Sequence, residues 1–307
     1  MKWTGVMPAM TTAFDAALKV DHAFVARHAR WLAGNGCSGI VCLGSLGEGA
    51  TLDFAEKIAV LKTVCAAVGE QIPIVATVSS LSTAEAIELA KAAQAAGASG
   101  LMILPPYVYR GDWREMKAHI GSVLKATPLE AMLYNNPVAY GTDFLPEHIA
   151  ELAAEHANLA AVKESSTDVR RVTAIRALVG DRLAILCGVD DAIVEAIRAG
   201  AVGWIAGLVN ALPRESVSLF EHAMAGRVRE TFELYRWFLP LLRMDTVPKF
   251  IQLIKQVQQE LGVGSARVRP PRLEIADDEL DQVRRTVAEA QTARPSVAVP
   301  GSAFPRM

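Results

Sequence analysis

The sequence predicts an α/β chain built as a (β/α)8 TIM barrel with a C-terminal helical extension. Eight short apolar runs alternate with alanine-rich stretches of helical period within the first 210 residues. The runs are apolar on both faces, as parallel strands covered by helices must be. A repeated junction supports the same layout: GNGCSGI, AAGASGL and RAGAVGW each end a helix on glycine and place a second glycine three residues on, before an apolar run. Eight such units in so short a chain favour a closed barrel over an open doubly wound sheet.

The strand-type runs are GVMPAM (5–10), GIVCL (39–43), PIVATV (73–78), GLMIL (100–104), EAMLYN (130–135), LAAVK (159–163), LAILCG (183–188) and GWIAG (203–207). Between them lie helical segments such as TAEAIELAKAAQAAG, in which Ile87, Ala90 and Gln94 mark one face. Helix starts are signalled at Ser82-Thr83 with Glu85, at Pro146-Glu147, and at Asp190-Asp191, where capping is the expected role. Beyond residue 210, PRESVSLFEHAMAG, VRETFELYRWFLPLLR and TVPKFIQLIKQVQQELG read as helices with no strands between them. The expected division is a barrel over 1–224, a helical extension over 225–290 and a loosely ordered tail over 291–307.

Composition bounds the function. The 307 residues are 51% apolar and 21% charged with a net charge of −2, the make-up of a protein with a large core. There is no long basic cluster of the kind that nucleic acid or an anionic membrane needs. No apolar run reaches the roughly 18 residues of a membrane span. Cys37, Cys42, Cys65 and Cys187 form no C-x-x-C pair and read as free thiols, which suits a cytoplasmic protein. The six histidines show no i, i+4 pairing, so no metal site is expected.

In such a barrel the active site lies at the C-terminal ends of the strands. Lys163 closes the sixth run, in NLAAVKESSTD. A lysine hemmed in there loses solvation, which lowers its pKa, and a neutral amine can attack a carbonyl to form a Schiff base. Glu164 points to the other face of the strand. Tyr134 ends the neighbouring fifth strand, about 4.8 Å away, where a phenol can exchange protons with a substrate held on Lys163. GSLGEG (44–49) offers backbone amides for an anion, more suitably a carboxylate than a phosphate, and Ser45 adds a hydroxyl near Tyr134. GNGCSG (34–39) fits a dinucleotide fingerprint, but its order is helix then strand, the reverse of what that motif requires.

Together GSLGE, LPPY, YNNP and VKESS, in this order, resemble the dihydrodipicolinate synthase and N-acetylneuraminate lyase family of class I aldolases. The likeness runs from GVMPAMTTAF to RVRPPRLEI. It implies Lys163 as the Schiff-base lysine, Tyr134 as the proton-transferring tyrosine and Ser45 as a proton relay. The Ser45 and Leu46 amides would hold the substrate carboxylate, and Ile205 would border the pyruvyl group. Asn136 and Ala139, with Val108 and Tyr140, would line the pocket beyond C3. A homotetramer with no metal or organic cofactor is also implied, acting on a small-molecule 2-oxo acid or cyclic imine.

Three departures matter. The arginine that grips the aldehyde carboxylate in the true synthases is Ala139 here. The second of their paired tyrosines is Val108, after Tyr107, which leaves open whether Tyr109 or Tyr140 takes its place. The second threonine of their GTTGE is Leu46. Losing a bidentate arginine removes both energy and orientation from a carboxylate site. The expectation is therefore a Schiff-base lyase on a 2-oxo acid or its cyclic imine, with 4-hydroxy-1-pyrroline-2-carboxylate foremost. The alternatives are a 2-keto-3-deoxy sugar-acid aldolase or dehydratase, a 4-hydroxy-tetrahydrodipicolinate synthase, and a catalytically idle 2-oxo-acid sensor.

Overall fold

A computed structural model describes residues 1–297. Eight parallel strands run in the order β1-β8-β7-β6-β5-β4-β3-β2. They are β1 Gly5–Pro8, β2 Ile40–Cys42, β3 Ile74–Val78, β4 Gly100–Ile103, β5 Glu130–Asn135, β6 Leu159–Glu164, β7 Ala184–Cys187 and β8 Gly203–Ala206. A parallel bridge between Ala9 and Val41 closes the gap between β1 and β2, so the sheet is a barrel. Each strand is followed by helix: α1 His22–Gly34, α2 Phe54–Val68, α3 Thr83–Ala95, α4 Trp113–Ala126, α5 Pro137–Tyr140 with α6 Pro146–Glu155, α7 Arg170–Val179, α8 Ile193–Ala199 and α9 Pro213–Met224. Three more helices follow, α10 Val228–Leu242, α11 Phe250–Glu260 and α12 Asp277–Thr292.

The two-sided apolar strands sort into two cores. Met7, Val41, Val75, Met102, Met132, Ala161, Leu186 and Ile205 point inward and fill the barrel with branched and flexible side chains. The alternate residues, Val6, Ile40, Ile74, Leu101, Leu133, Val162, Ile185 and Trp204 among them, face the helices and join the outer core. Trp3 plugs the N-terminal end, its indole donating to Glu130 at 2.8 Å. Only the opposite end is left for a site.

Local expectations are met unevenly. Ser82 caps α3 by accepting from the Glu85 amide at 3.2 Å. The buried face of that helix is Ala86, Leu89, Ala90 and Ala93, whereas Gln94 is exposed, so the predicted face is off by one position. Glutamine cannot compete with alanine for a site against the sheet. Asp190 does not cap α8, which begins at Ile193; its carboxylate instead joins β7 to β8. The segment expected as a loose tail from residue 291 is ordered where it begins. Gln291 and Thr292 end α12, and Arg294 pairs with the buried Glu215 at 2.7 Å. Residues 298–307 of that segment lie outside the described residues.

His28 gives the fold a pH dependence. It is fully buried on α1, 3.2 Å from Asn210 Oδ1, and burial lowers its pKa to about 4. The unfolded chain, with an ordinary imidazole, binds more protons between about pH 4 and 6.5. The contribution of His28 is therefore full above that window and lost on acidification, by at most about 3 kcal/mol. Melting temperature measured from pH 7 to pH 4 is expected to fall more steeply in the wild type than in His28→Gln.

Candidate active site

β5 and β6 pair so that Tyr134 lies opposite Lys163 and Asn135 opposite Glu164. The pleat sends the first pair into the barrel and the second outward. Lys163 is 6% exposed, and its Nζ stands 3.9 Å from the centroid of the Tyr134 ring. Room for it comes from Gly188, just past β7, where a Cβ would fall 2.4 Å from Lys163 Cε. Burial pushes the Lys163 amine below its ordinary value, against the pull of Tyr140, Asp245 and Asp190. A larger neutral fraction is what a nucleophilic lysine needs.

The outward pair is structural. Asn135 Nδ2 donates to Glu164 at 3.0 Å, the Ser166 amide donates to the same carboxylate at 2.6 Å, and Asn135 Oδ1 accepts from Phe144 N at 2.9 Å. These bonds tie the two strand ends together behind the amine and the phenol. Burial raises the Glu164 carboxyl above its usual range.

Tyr134 is buried, and burial raises its phenol, partly offset by the hydrogen bond from Asn136 Nδ2 at 3.0 Å. Asn136 also accepts from the Ala139 amide at 3.0 Å and so caps α5. One side chain thereby holds both the phenol and the loop that follows it. Ala139 is exposed and brings no polar group to the pocket. Next to it, Tyr140 turns inward: its hydroxyl shares a hydrogen bond with Ser45 Oγ, and its ring sits edge-on to Tyr134 with centroids 5.7 Å apart. Ser45 therefore meets Tyr140 rather than Tyr134 directly. Tyr109 is half exposed and turned toward Glu115, away from this set.

The GSLGEG turn after β2 is closed by its own backbone. Glu48 N bonds Ser45 O at 3.0 Å and Gly49 N bonds Gly44 O at 3.1 Å. Leu43 and Glu48 hold left-handed backbone at φ 67° and 53°, a strained arrangement for residues with side chains. What restrains it comes from far along the chain. Lys255 on α11 reaches Glu48 at 2.6 Å and Thr12 O at 2.9 Å, both side chains at most 2% exposed. The Arg269 amide donates to the other Glu48 oxygen at 3.0 Å. Leu46 is buried in the turn, and Ile205 lines the barrel interior on β8. Sequence reading missed the Glu48–Lys255 pair. The one available signal was an acid inside an otherwise apolar turn.

Fold and site together define a class I aldolase or lyase on a TIM barrel, with its amine buried at a strand end. The chain belongs to the dihydrodipicolinate synthetase family, whose profile matches residues 2–290. It is 31% identical over 277 residues to a 4-hydroxy-tetrahydrodipicolinate synthase of Geotalea daltonii, covering 89% of this chain and 93% of that one. It is 32% identical to another of Natronomonas pharaonis, covering 94% and 98%. Among solved structures it superposes on YagE of Escherichia coli K12 in complex with pyruvate, with TM-score 0.89, 25% identity, and coverage of 94% and 99%. The 4-hydroxy-tetrahydrodipicolinate synthase of Methylacidiphilum fumariolicum matches with TM-score 0.91 at 26% identity, covering 95% and 97%. No helix among the described residues is long and apolar enough to cross a membrane.

Proposed function

We propose that this lyase forms a Schiff base between Lys163 and C2 of a small 2-oxo acid, or of its cyclic imine. The observation that carries the reading is the buried Lys163 amine, lowered by desolvation and set over the Tyr134 ring. The Ser45 and Leu46 amides hold the C1 carboxylate, the Ile205 backbone borders the pyruvyl group, and Asn136, Ala139 and Tyr140 wall the remainder. Tyr134 takes a proton from C3, and the iminium accepts the electrons as an enamine. No metal or organic cofactor enters this scheme, and the expected assembly is a homotetramer, checked by light scattering.

Within this class we favour 4-hydroxy-1-pyrroline-2-carboxylate, which Lys163 opens by attack at C2. Ala139 supports that choice over a second carboxylate-bearing aldehyde, because it supplies no cation to pair with one. The names of the relatives favour the other reading, condensation of pyruvate with aspartate semialdehyde. Incubation with pyruvate or the cyclic imine, then borohydride and mass spectrometry, is expected to place the adduct on Lys163. No adduct with any 2-oxo acid, with ligand binding surviving Lys163→Ala, would leave a sensor barrel. Rapid turnover of pyruvate plus aspartate semialdehyde would instead make the chain a synthase despite Ala139.

Tyr140 takes the relay position that Val108 vacates. Its bond to Ser45 and its edge-on approach to Tyr134 support a proton path made within one chain. Tyr140→Phe is expected to lower kcat about 10²-fold while the reduced pyruvate adduct still forms. Tyr109→Phe is expected to leave kcat within about twofold. A Tyr140→Phe enzyme with wild-type kcat would remove Tyr140 from the path.

A further inference from the structure

Two buried or half-buried aspartates stand at the mouth beside Lys163, and they are not equivalent. Asp190 follows β7 and is fully paired: Trp204 Nε1 donates at 3.0 Å, Leu208 N at 2.8 Å and Gly207 N at 3.1 Å. It is a strut. Asp245 comes from the helical extension, on the single turn Arg243–Asp245 that follows α10. Its carboxyl lies flat on Gly207, where a Cβ would stand 2.3 Å from Asp245 Oδ1 and 2.8 Å from Cγ. Gly207 immediately follows β8, two residues beyond Ile205, so this carboxyl overhangs the catalytic end of the barrel. Among the described residues no hydrogen bond or ion pair occupies it; the nearby Arg243 pairs with Asp191 instead, at 3.6 Å.

We infer that Asp245 is the general acid for loss of a hydroxyl from C4 of the bound substrate, which makes this enzyme a dehydratase rather than an aldol-cleaving lyase. The inference rests on the Schiff-base reading above. Once Tyr134 has taken the C3 proton, the enamine nitrogen pushes its pair toward C4. The C4–O bond breaks, a C3=C4 double bond forms, and the iminium at C2 is restored. The Asp245 carboxyl proton goes to the departing oxygen, which leaves as water, and solvent reprotonates the carboxylate. Retro-aldol cleavage needs the reverse, a base to remove the hydroxyl proton. A carboxyl with no donor or cation bonded to it among the described residues suits the acid's part rather than the base's, and burial, Asp190 and Asp191 push it the same way, well above the usual range, with Lys163 opposing.

The test uses the whole enzyme, Asp245→Asn and Asp245→Ala, with pyruvate, 4-hydroxy-2-oxopentanoate and 4-hydroxy-1-pyrroline-2-carboxylate as probes. Wild type is expected to eliminate water from a C4-hydroxy probe, giving 2-oxo-3-pentenoate from the open-chain one. Both variants are expected to lose that rate about 10²- to 10⁴-fold, together with the basic limb of its pH profile. Both should still form the reduced pyruvate adduct on Lys163 and exchange C3 hydrogen for deuterium. Loss of adduct or exchange along with elimination would make Asp245 a structural support and overturn the inference. So would cleavage to pyruvate and acetaldehyde as the main wild-type reaction, or wild-type elimination by the variants. A wild type that forms the pyruvate adduct yet leaves both hydroxylated probes unchanged overturns it as well, while leaving the Schiff-base reading standing. Absence of any adduct in wild type would sink that reading itself.

Discussion

Lys163→Ala is expected to lose turnover by at least about 10⁴-fold, the scale seen when a covalent nucleophile is removed. The reduced adduct should vanish with it. The variant should nevertheless fold, because the amine is buried without an ion pair among the described residues. Gly188 leaves space around the side chain, and alanine at a strand end exposes no orphaned charge. Circular dichroism and a melting curve close to wild type, beside a dead enzyme, would assign the loss to chemistry. Arginine at the same position is expected to be equally inactive, since its guanidinium stays protonated and cannot form the Schiff base. A Lys163→Ala protein that still turned over a 2-oxo acid would end the Schiff-base mechanism.

The second large effect falls on stability. Glu48→Ala leaves the buried Lys255 with no anion, only the Thr12 carbonyl and the face of the Phe14 ring 4.5 Å away, and breaking a buried pair this way costs about 3–5 kcal/mol. A drop in melting temperature on the order of 5–15 °C is expected. The double variant Glu48→Leu with Lys255→Met should recover much of it, because two apolar side chains remove both uncompensated charges. Recovery of stability need not bring recovery of activity: the turn around Ser45 and Leu46 loses the carboxylate that Arg269 also holds. A single variant melting within about 2 °C of wild type would show the pair to be dispensable.

The barrel was legible because its signals are local. Each strand carries its own two-sided apolar run, and most barrel helices a cap residue or a terminal glycine, so eight strands could be placed to within one or two residues. That Lys163 and Tyr134 stand side by side was legible for a related reason: both lie at the ends of strands adjacent in the chain order, and adjacent parallel strands lie side by side. What stayed hidden depends on separation. Glu48 and Lys255 are 207 residues apart, and nothing near either predicts the other. Asp190 looked like a cap because a carboxylate before a helix usually is one; its donors come from the next strand end instead. Ser45 was aimed at Tyr134 because α5, the short turn that swings Tyr140 between them, has too few residues to leave a periodic trace.

The reach of α11 and the Arg243–Asp245 turn back into the barrel mouth bears on the order of synthesis. By the time β8 leaves the ribosome, every strand and the residues Ser45, Tyr134, Tyr140 and Lys163 have been made. The barrel can close at that stage, yet Glu48 has neither Lys255 nor Arg269, and Gly207 has no carboxyl above it. A nascent barrel is thus a closed vessel with an unset rim. A fragment ending after α9 is therefore expected to assemble strands without acquiring turnover.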